Sequence, residues 1–303
     1  MLNVFIHICF LILLPPLLPG VINRVKAFLA GRKGPPLLQL YFDLARLLRK
    51  QMVLSSATTW VFRSGPMLGL VAVLLAGLLI PFGPFAAPIS FTGDLILFVA
   101  LLGLARFFTA AAALDAGSSF EGMGAARELT FACLAEPAVF LALLALARFS
   151  GVLSLTNMLL APLAAGPLAH AAAPLVLVAA GLLIVLLAEN CRMPVDDPNT
   201  HLELTMIHEV MVLDHSGPLL GVILYGAAVK LFVFSVLIGQ VVLPVHTPWP
   251  ALDWLIFAGR MIALAVVVGV VESVMARLQM RHVPILLTAA CLLCGFGFIL
   301  MLR

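Results

Sequence analysis

Apolar residues fall into eight runs, at roughly 3–22, 66–83, 94–114, 129–147, 172–188, 218–243, 253–271 and 284–302. Each approaches or reaches the roughly 20 apolar residues that a helix needs to cross a bilayer core. The first run lacks a charged leading region and passes through Pro15, Pro16 and Pro19 without a small-residue cleavage site. It therefore reads as a retained, kinked helix and not as a signal peptide. Turn residues separate the runs: Pro81, Gly83, Pro84 and Pro88 after the second, Pro162, Gly166, Pro167 and Pro174 before the fifth, Gly217 and Pro218 before the sixth. No internal repeat at a fixed period is present. The pattern predicts an all-α polytopic membrane protein, a bundle of about eight transmembrane helices in one integral membrane domain over 1–303. Connecting loops are expected at about 23–65, 115–128, 189–217 and 272–283.

Within the first loop the pattern changes. Leu40, Leu44, Leu47 and Leu48 recur at helical spacing while Arg46, Arg49 and Lys50 take the other side. This is the signature of an amphipathic helix lying on anionic lipid.

Composition confirms that the solvent is lipid: 63% of residues are hydrophobic and 10% charged, with a mean hydropathy of +1.19. A soluble domain has about 45–50% apolar residues, so a soluble globular chain, a disordered chain and a secreted disulfide scaffold are all excluded. Four of the 5 cysteines (Cys9, Cys133, Cys291, Cys294) sit in apolar runs, where a thiol behaves as a small hydrophobe. Cys291 and Cys294 form a CxxC pair with no second pair or histidine nearby, which argues against a metal or redox centre there.

Twelve of the 17 Lys and Arg residues fall on one side of the predicted spans, eight of them in the loop 23–65, whereas only Arg148 and Arg303 fall on the other. The basic side is the cytoplasmic one, which puts both termini outside. Eleven of the 14 carboxylates share that side. Since acids contribute little to orientation, their presence reads either as solvated loop charge or as a polar docking surface feeding into the bundle.

The loop after the fifth span is the densest in polar chemistry. Thr200 with Glu203, just after Pro198, forms a capping box, predicting a short helix from near 200 that stops at Gly217. His201, His208 and His215 would share one face of it, but a seven-residue spacing separates successive rings by about 10 Å, too far for one ion. His208-Glu209 begins an HExxH look-alike that fails because position 212 is Val. Asp196, Asp197 and Glu203 are expected to accept hydrogen bonds from the loop's own backbone, from Arg192 or from a partner arginine.

Ionisable residues inside spans are costly, at least about 2.5–3.5 kcal/mol each on insertion scales, and normally face the bundle interior with a partner. Glu136 lies roughly 10 Å deep in the fourth span, beside Pro137. Arg106 falls at a similar depth in the antiparallel third span, so the two are predicted to pair. Lys230 lies deeper in the sixth and reads as a proton carrier or as half of a static ion pair. Arg260 is expected to snorkel toward the outer face, and Asp94 and Asp253 to be interfacial.

The stretch Arg192 to Gly217, above all Pro-Val-Asp-Asp-Pro-Asn-Thr-His-Leu-Glu-Leu-Thr-Met-Ile-His-Glu and Leu-Asp-His-Ser-Gly-Pro, resembles the membrane-anchor family of formate-hydrogenlyase-type, energy-converting nickel-iron hydrogenases. That family is related to the quinone-site membrane subunit (subunit 1) of respiratory complex I. Asn23-Arg-Val-Lys26, Gly31-Arg-Lys-Gly-Pro-Pro-Leu-Leu-Gln39 with Asp43, and Gly122-Met-Gly-Ala-Ala-Arg127-Glu128 with Glu136 are similar to the family's other loops. Where complex I carries an acid-rich run, this chain keeps only Glu203 within Asn199-Thr200-His201-Leu202-Glu203, which favours the hydrogenase branch over a quinone-binding NADH dehydrogenase subunit.

The resemblance implies a non-catalytic subunit of an oxidoreductase in the bacterial cytoplasmic (inner) membrane. It would bind no cofactor or metal of its own, the nickel-iron centre and iron-sulfur clusters lying in partner subunits. Implied partners are the hydrogenase large and small (iron-sulfur) subunits, an antiporter-like membrane subunit and the lipid bilayer, but no nucleic acid. A coupling path would run through Glu128, Glu136, Glu189, Glu203, Lys230, Arg106 and His208. Docking would use Arg32, Lys33, Gln39, Asp43, Arg127, Arg192, Asp196, Asp197, His201, Glu209, Asp214 and His215. A stand-alone permease and a purely structural anchor are the competing readings.

Overall fold

A computed structural model of the chain describes residues 2–164, 172–196, 206–243 and 245–302. Its helices are α1 (Leu2–Leu13), α2 (Leu17–Leu29), α3 (Gln39–Leu48), α4 (Trp60–Leu79), α5 (Asp94–Asp115), α6 (Ser119–Ser150), α7 (Leu155–Ala164), α8 (Ala172–Glu189), α9 (Gly217–Val242), α10 (Pro250–Val274) and α11 (Val283–Leu300), with no strand among the described residues. All eight apolar runs are helical. Six described helices are long and apolar enough to span a membrane, and α1 with α2 makes a seventh span bent by 49°. The 18-residue α8 covers the remaining run. The protein is a multi-pass membrane protein.

The bend falls at Pro15 and Pro16, each of which lacks the N–H that would continue the helical ladder. Two helices are longer than the apolar pattern suggested. α4 begins at Trp60, where the Thr59 hydroxyl accepts from Val61 N at 3.2 Å. The Asp115 carboxylate, at the end of α5, accepts from Thr59 N at 2.7 Å and from Phe62 N at 3.1 Å, tying the two helix ends together. α6 starts at Ser119, so most of the expected loop 115–128 is helix. α7 was not anticipated.

Three polar residues refine the sequence reading. Asp94 is fully buried and accepts from Leu155 N at 2.6 Å, joining α5 to the start of α7. Asp253 is buried as well and accepts from Thr247 N at 2.8 Å. Both stand in the first turn of a spanning-length helix, the end position expected of an interfacial residue, but with the carboxylate turned into the protein. Arg260 does not snorkel: it is 6% exposed and donates to Gln240 Oε1 at 3.0 Å and Leu243 O at 2.6 Å. Gln240 in turn donates to Pro81 O at 3.0 Å. A cation with this many acceptors around it has no need to reach the interface.

The main core runs through α2, α4, α5, α6, α8, α9 and α10, with Phe82, Phe98, Phe232 and Phe257 fully buried in it. At one end of the bundle lie α3, the start of α6, the end of α8 and the segment 206–216. Leu40, Leu44 and Leu47 of α3 are half-buried, with Leu47 against Gly221 of α9, while Leu48 is exposed. At Gly124 of α6, an added Cβ would lie 2.4 Å from Val210 Cγ1, so only glycine lets the 206–216 segment rest directly on the helix. The short helix expected there is corrected too. Its start lies outside the described residues, and the described part holds only a 3-10 turn, Glu209–Val212. Gly217, at φ +54°, opens α9 instead of ending a helix.

Candidate functional site

Five ionisable side chains from four helices converge inside the bundle near this polar end. Arg106 of α5 is the centre. Its Nη1 meets Glu136 Oε1, its Nη2 lies 2.6 Å from Glu189 Oε1, and its Nε stands 3.7 Å from Glu128 Oε1. Lys230 Nζ of α9 takes the other oxygen of Glu189 at 2.8 Å. The fork geometry of a guanidinium allows one side chain to reach acids on two helices at once.

Two cations face three carboxylates, so the group carries one excess negative charge when all are ionised. Arg106 and Glu189 are almost fully buried, with side chains 5% and 4% exposed, whereas Glu136 is 42% exposed on the bundle's flank. A buried excess charge is costly. With two cations shared among three carboxylates, the half-exposed Glu136 is the acid best placed to carry the excess charge toward the surface.

The expected Arg106–Glu136 pair is therefore present, but as one edge of a larger network. Glu189 and Lys230 share it with Glu128. Glu136 Oε1 lies beside Gly103 of α5, 3.7 Å from where a Cβ would stand, an ordinary contact distance. Glu203 lies outside the described residues. His208 does not contact Arg106 but lines, with Glu128, Glu189 and Lys230, a cavity of about 80 Å³ beside the network. Burial lowers the His208 pKa from its ordinary value and keeps the ring neutral.

Of the residues expected at a docking face, several are engaged inside the chain. Asp196 is 1% exposed, pairs with Arg277 at 2.7 Å and accepts from Ile207 N at 2.9 Å. Arg192 pairs with Glu272 at 3.4 Å, and Lys26 reaches the same carboxylate at 2.8 Å. Arg127 donates to Met206 O at 2.7 Å. These side chains brace the polar loops against α6, α10 and α2. His215 is buried and stacked on Phe62, with ring centroids 4.0 Å apart, and burial lowers its pKa. It does not share a helical face with His208, because the 3-10 turn ends between them.

The side chains left at the surface are Arg32, Lys33 and Asp214, with Gln39, Asp43 and Glu209 half-buried. Gln39 donates to Asp43 at 3.1 Å along α3. Asp197 and His201 lie outside the described residues. Two residues were missed by sequence reasoning. Glu272, 4% exposed, is the acid that gathers Lys26 and Arg192, and its only signal was a lone carboxylate at the end of an apolar run. Cys191, the single described non-glycine residue at positive φ (+47°), follows Glu189 and lines the cavity. It gave no spacing signal.

A polytopic helical membrane protein with a buried charge network near its polar end is the class these observations define. The chain belongs to the NADH dehydrogenase family, which matches residues 2–302 and is that of the membrane subunit 1 of complex I. It is 32% identical over 293 residues to formate hydrogenlyase subunit 4 of Escherichia coli K12, covering 93% of this chain and 91% of that protein. It is also 32% identical over 234 residues to hydrogenase-4 component C of the same organism, covering 77% and 72%. A chain of the archaeal membrane-bound sulfane sulfur reductase, a respiratory membrane complex, has the same fold, with a TM-score of 0.84 at 23% identity over 99% of both chains.

Proposed function

We propose that the chain is the membrane anchor and ion-coupling subunit of a membrane-bound hydrogenase complex of the formate hydrogenlyase kind. Its polar end faces the cytoplasm of a bacterial cell, with both termini outside, and is the floor on which the soluble hydrogenase arm stands. Nickel-iron and iron-sulfur chemistry belongs to the large and small hydrogenase subunits, and an antiporter-like membrane subunit lies alongside. The observation that carries the coupling role is the Arg106 network with its excess carboxylate. It extends from the cavity at the polar end, where Glu128 stands, to the half-exposed Glu136 on the flank. A proton arriving from the arm enters at Glu128 or His208, exchanges through Glu189 and reaches Glu136, which faces the neighbouring membrane subunit.

The long relatives named for hydrogenase complexes favour this reading over quinone reduction. So does the cavity: about 80 Å³ is small beside the roughly 300–1,000 Å³ of sites for drug-sized ligands. The docking half is tested by purifying the tagged chain from mild detergent. Hydrogenase subunits should co-purify, and reversing the charge of Arg32 and Lys33 together should weaken that association while the chain stays in the membrane. Purification of the wild-type chain alone would sink the proposal and favour a stand-alone permease.

A further inference from the structure

Two cavities meet at the polar end. The inner one, beside Arg106, has a volume of about 80 Å³, and an outer one of about 180 Å³ lies against Pro19 and Asn23 of α2 and Leu40 of α3. Asn190, Cys191 and His208 line both, so they form the partition. At that partition a Glu128 oxygen, Cys191 Sγ and a His208 ring nitrogen lie within 4.8 Å of one another. The geometry points to a site for a borderline-soft divalent cation of the zinc type, held by Glu128, Cys191 and His208, whose occupation shuts the buried charge network off from the outer cavity.

The donor set selects the ion. Thiolate, imidazole and carboxylate together suit zinc, whereas calcium and magnesium take oxygen ligands. A tetrahedral zinc ion holds its donors roughly 3.3–3.8 Å apart, so the three side chains need close by only about 1 Å. Glu128 is free to make that movement: its contact with Arg106 Nε is loose, at 3.7 Å, in a network whose tight bonds are made by Glu136 and Glu189. Asn190 Oδ1 is buried without a hydrogen-bond partner among the described residues and lines the same space, a ready acceptor for a water on the fourth position.

Charge balance points the same way. Glu128, Glu136 and Glu189 against Arg106 and Lys230 leave one negative charge, and ionising the Cys191 thiol makes two. A divalent cation cancels both. Zinc enters as the thiol proton leaves: the sulfur–hydrogen bond is replaced by a sulfur–zinc bond, and one proton departs through the outer cavity with no change of oxidation state. Lys230 does not repel the ion unopposed, because Glu189 holds its ammonium at 2.8 Å. The backbone position of Cys191, left-handed at φ +47°, is one that glycine adopts without strain, yet a thiol stands there. With zinc bound, Glu128 is a ligand and cannot exchange protons. That consequence rests on the coupling role proposed above, but binding itself does not, so the test reads binding.

The probe is zinc alone, added to the complex purified through the full chain and followed at the zinc X-ray absorption edge, which iron and nickel in partner subunits do not obscure. Wild type should take up one more equivalent than C191S, with one sulfur at about 2.3 Å and nitrogen or oxygen at about 2.0–2.1 Å. H208Q and E128Q should each lower affinity about 10–100-fold or more while keeping the sulfur shell. Equal zinc content and the same ligand shell in wild type and C191S would overturn the site. If C191S does not accumulate, unchanged affinity in both H208Q and E128Q would overturn it equally.

Discussion

Replacing Arg106 by Met tests the electrostatic centre of the bundle, because it removes the cation that three acids share. Glu128, Glu136 and Glu189 would then face Lys230 alone, raising the excess from one negative charge to two. Two unit charges 4 Å apart at an effective dielectric of 20 interact by about 4 kcal/mol. That agrees with the roughly 3–5 kcal/mol lost when one partner of a buried ion pair is removed. The structure also says which second change should compensate. R106M/E128Q and R106M/E136Q both return the network to one negative charge while leaving Glu189 paired with Lys230 at 2.8 Å. Glu128, however, has a side chain only 11% exposed, whereas Glu136 is 42% exposed and already screened. Relief should therefore be larger for R106M/E128Q. Thermal unfolding in mild detergent can be followed by a thiol dye that becomes fluorescent as buried Cys294 is uncovered. Equal or greater recovery in R106M/E136Q would refute the ranking and with it the placement of the buried charge.

Three further outcomes follow from local geometry. G124A would force a methyl group to 2.4 Å from Val210 Cγ1 and should destabilise by about 1–3 kcal/mol as an overpacked contact, read as faster hydrogen exchange in 206–216. His215 is held neutral by burial, its pKa lowered from 6.5, so between that lowered value and 6.5 the unfolded chain binds the extra proton. Its contribution to stability is complete above pH 6.5 and falls as pH drops from there toward the folded value; H215F should flatten the fall in melting temperature between pH 7.5 and 5. Sidedness is read with single cysteines in a background lacking native ones: an impermeant thiol reagent on intact cells should label S150C and not S55C.

The hydrophobic pattern placed the spans because lipid-facing length is a property of the sequence itself. The pairing of Arg106 with Glu136 was legible for the same reason, since depth follows from counting residues along antiparallel helices. What counting could not supply was rotation. Spans such as α8 and α9 are apolar on every side, so nothing in their periodicity tells that Glu189 and Lys230 turn toward Arg106. Arg260 was misjudged because its acceptors, Gly239 O, Gln240 Oε1 and Leu243 O, come from the end of α9 and not from its own helix neighbours. The capping box near 200 predicted a helix up to Gly217 from local chemistry. Packing against Gly124 instead holds 206–216 as a 3-10 turn and an extended lead into α9. The Glu128, Cys191 and His208 cluster was out of reach of any spacing rule, its members coming from three segments.

Proton movement during hydrogen evolution is the most direct measure of whether the buried network couples chemistry to ion transport. In everted membrane vesicles carrying the complex, E128Q should leave the hydrogenase subunits bound and hydrogen evolution running, while acidification of the vesicle lumen falls to that of vesicles without the complex. Unchanged acidification per hydrogen in E128Q, and again in E136Q, would contradict the coupling role and leave the chain a structural anchor.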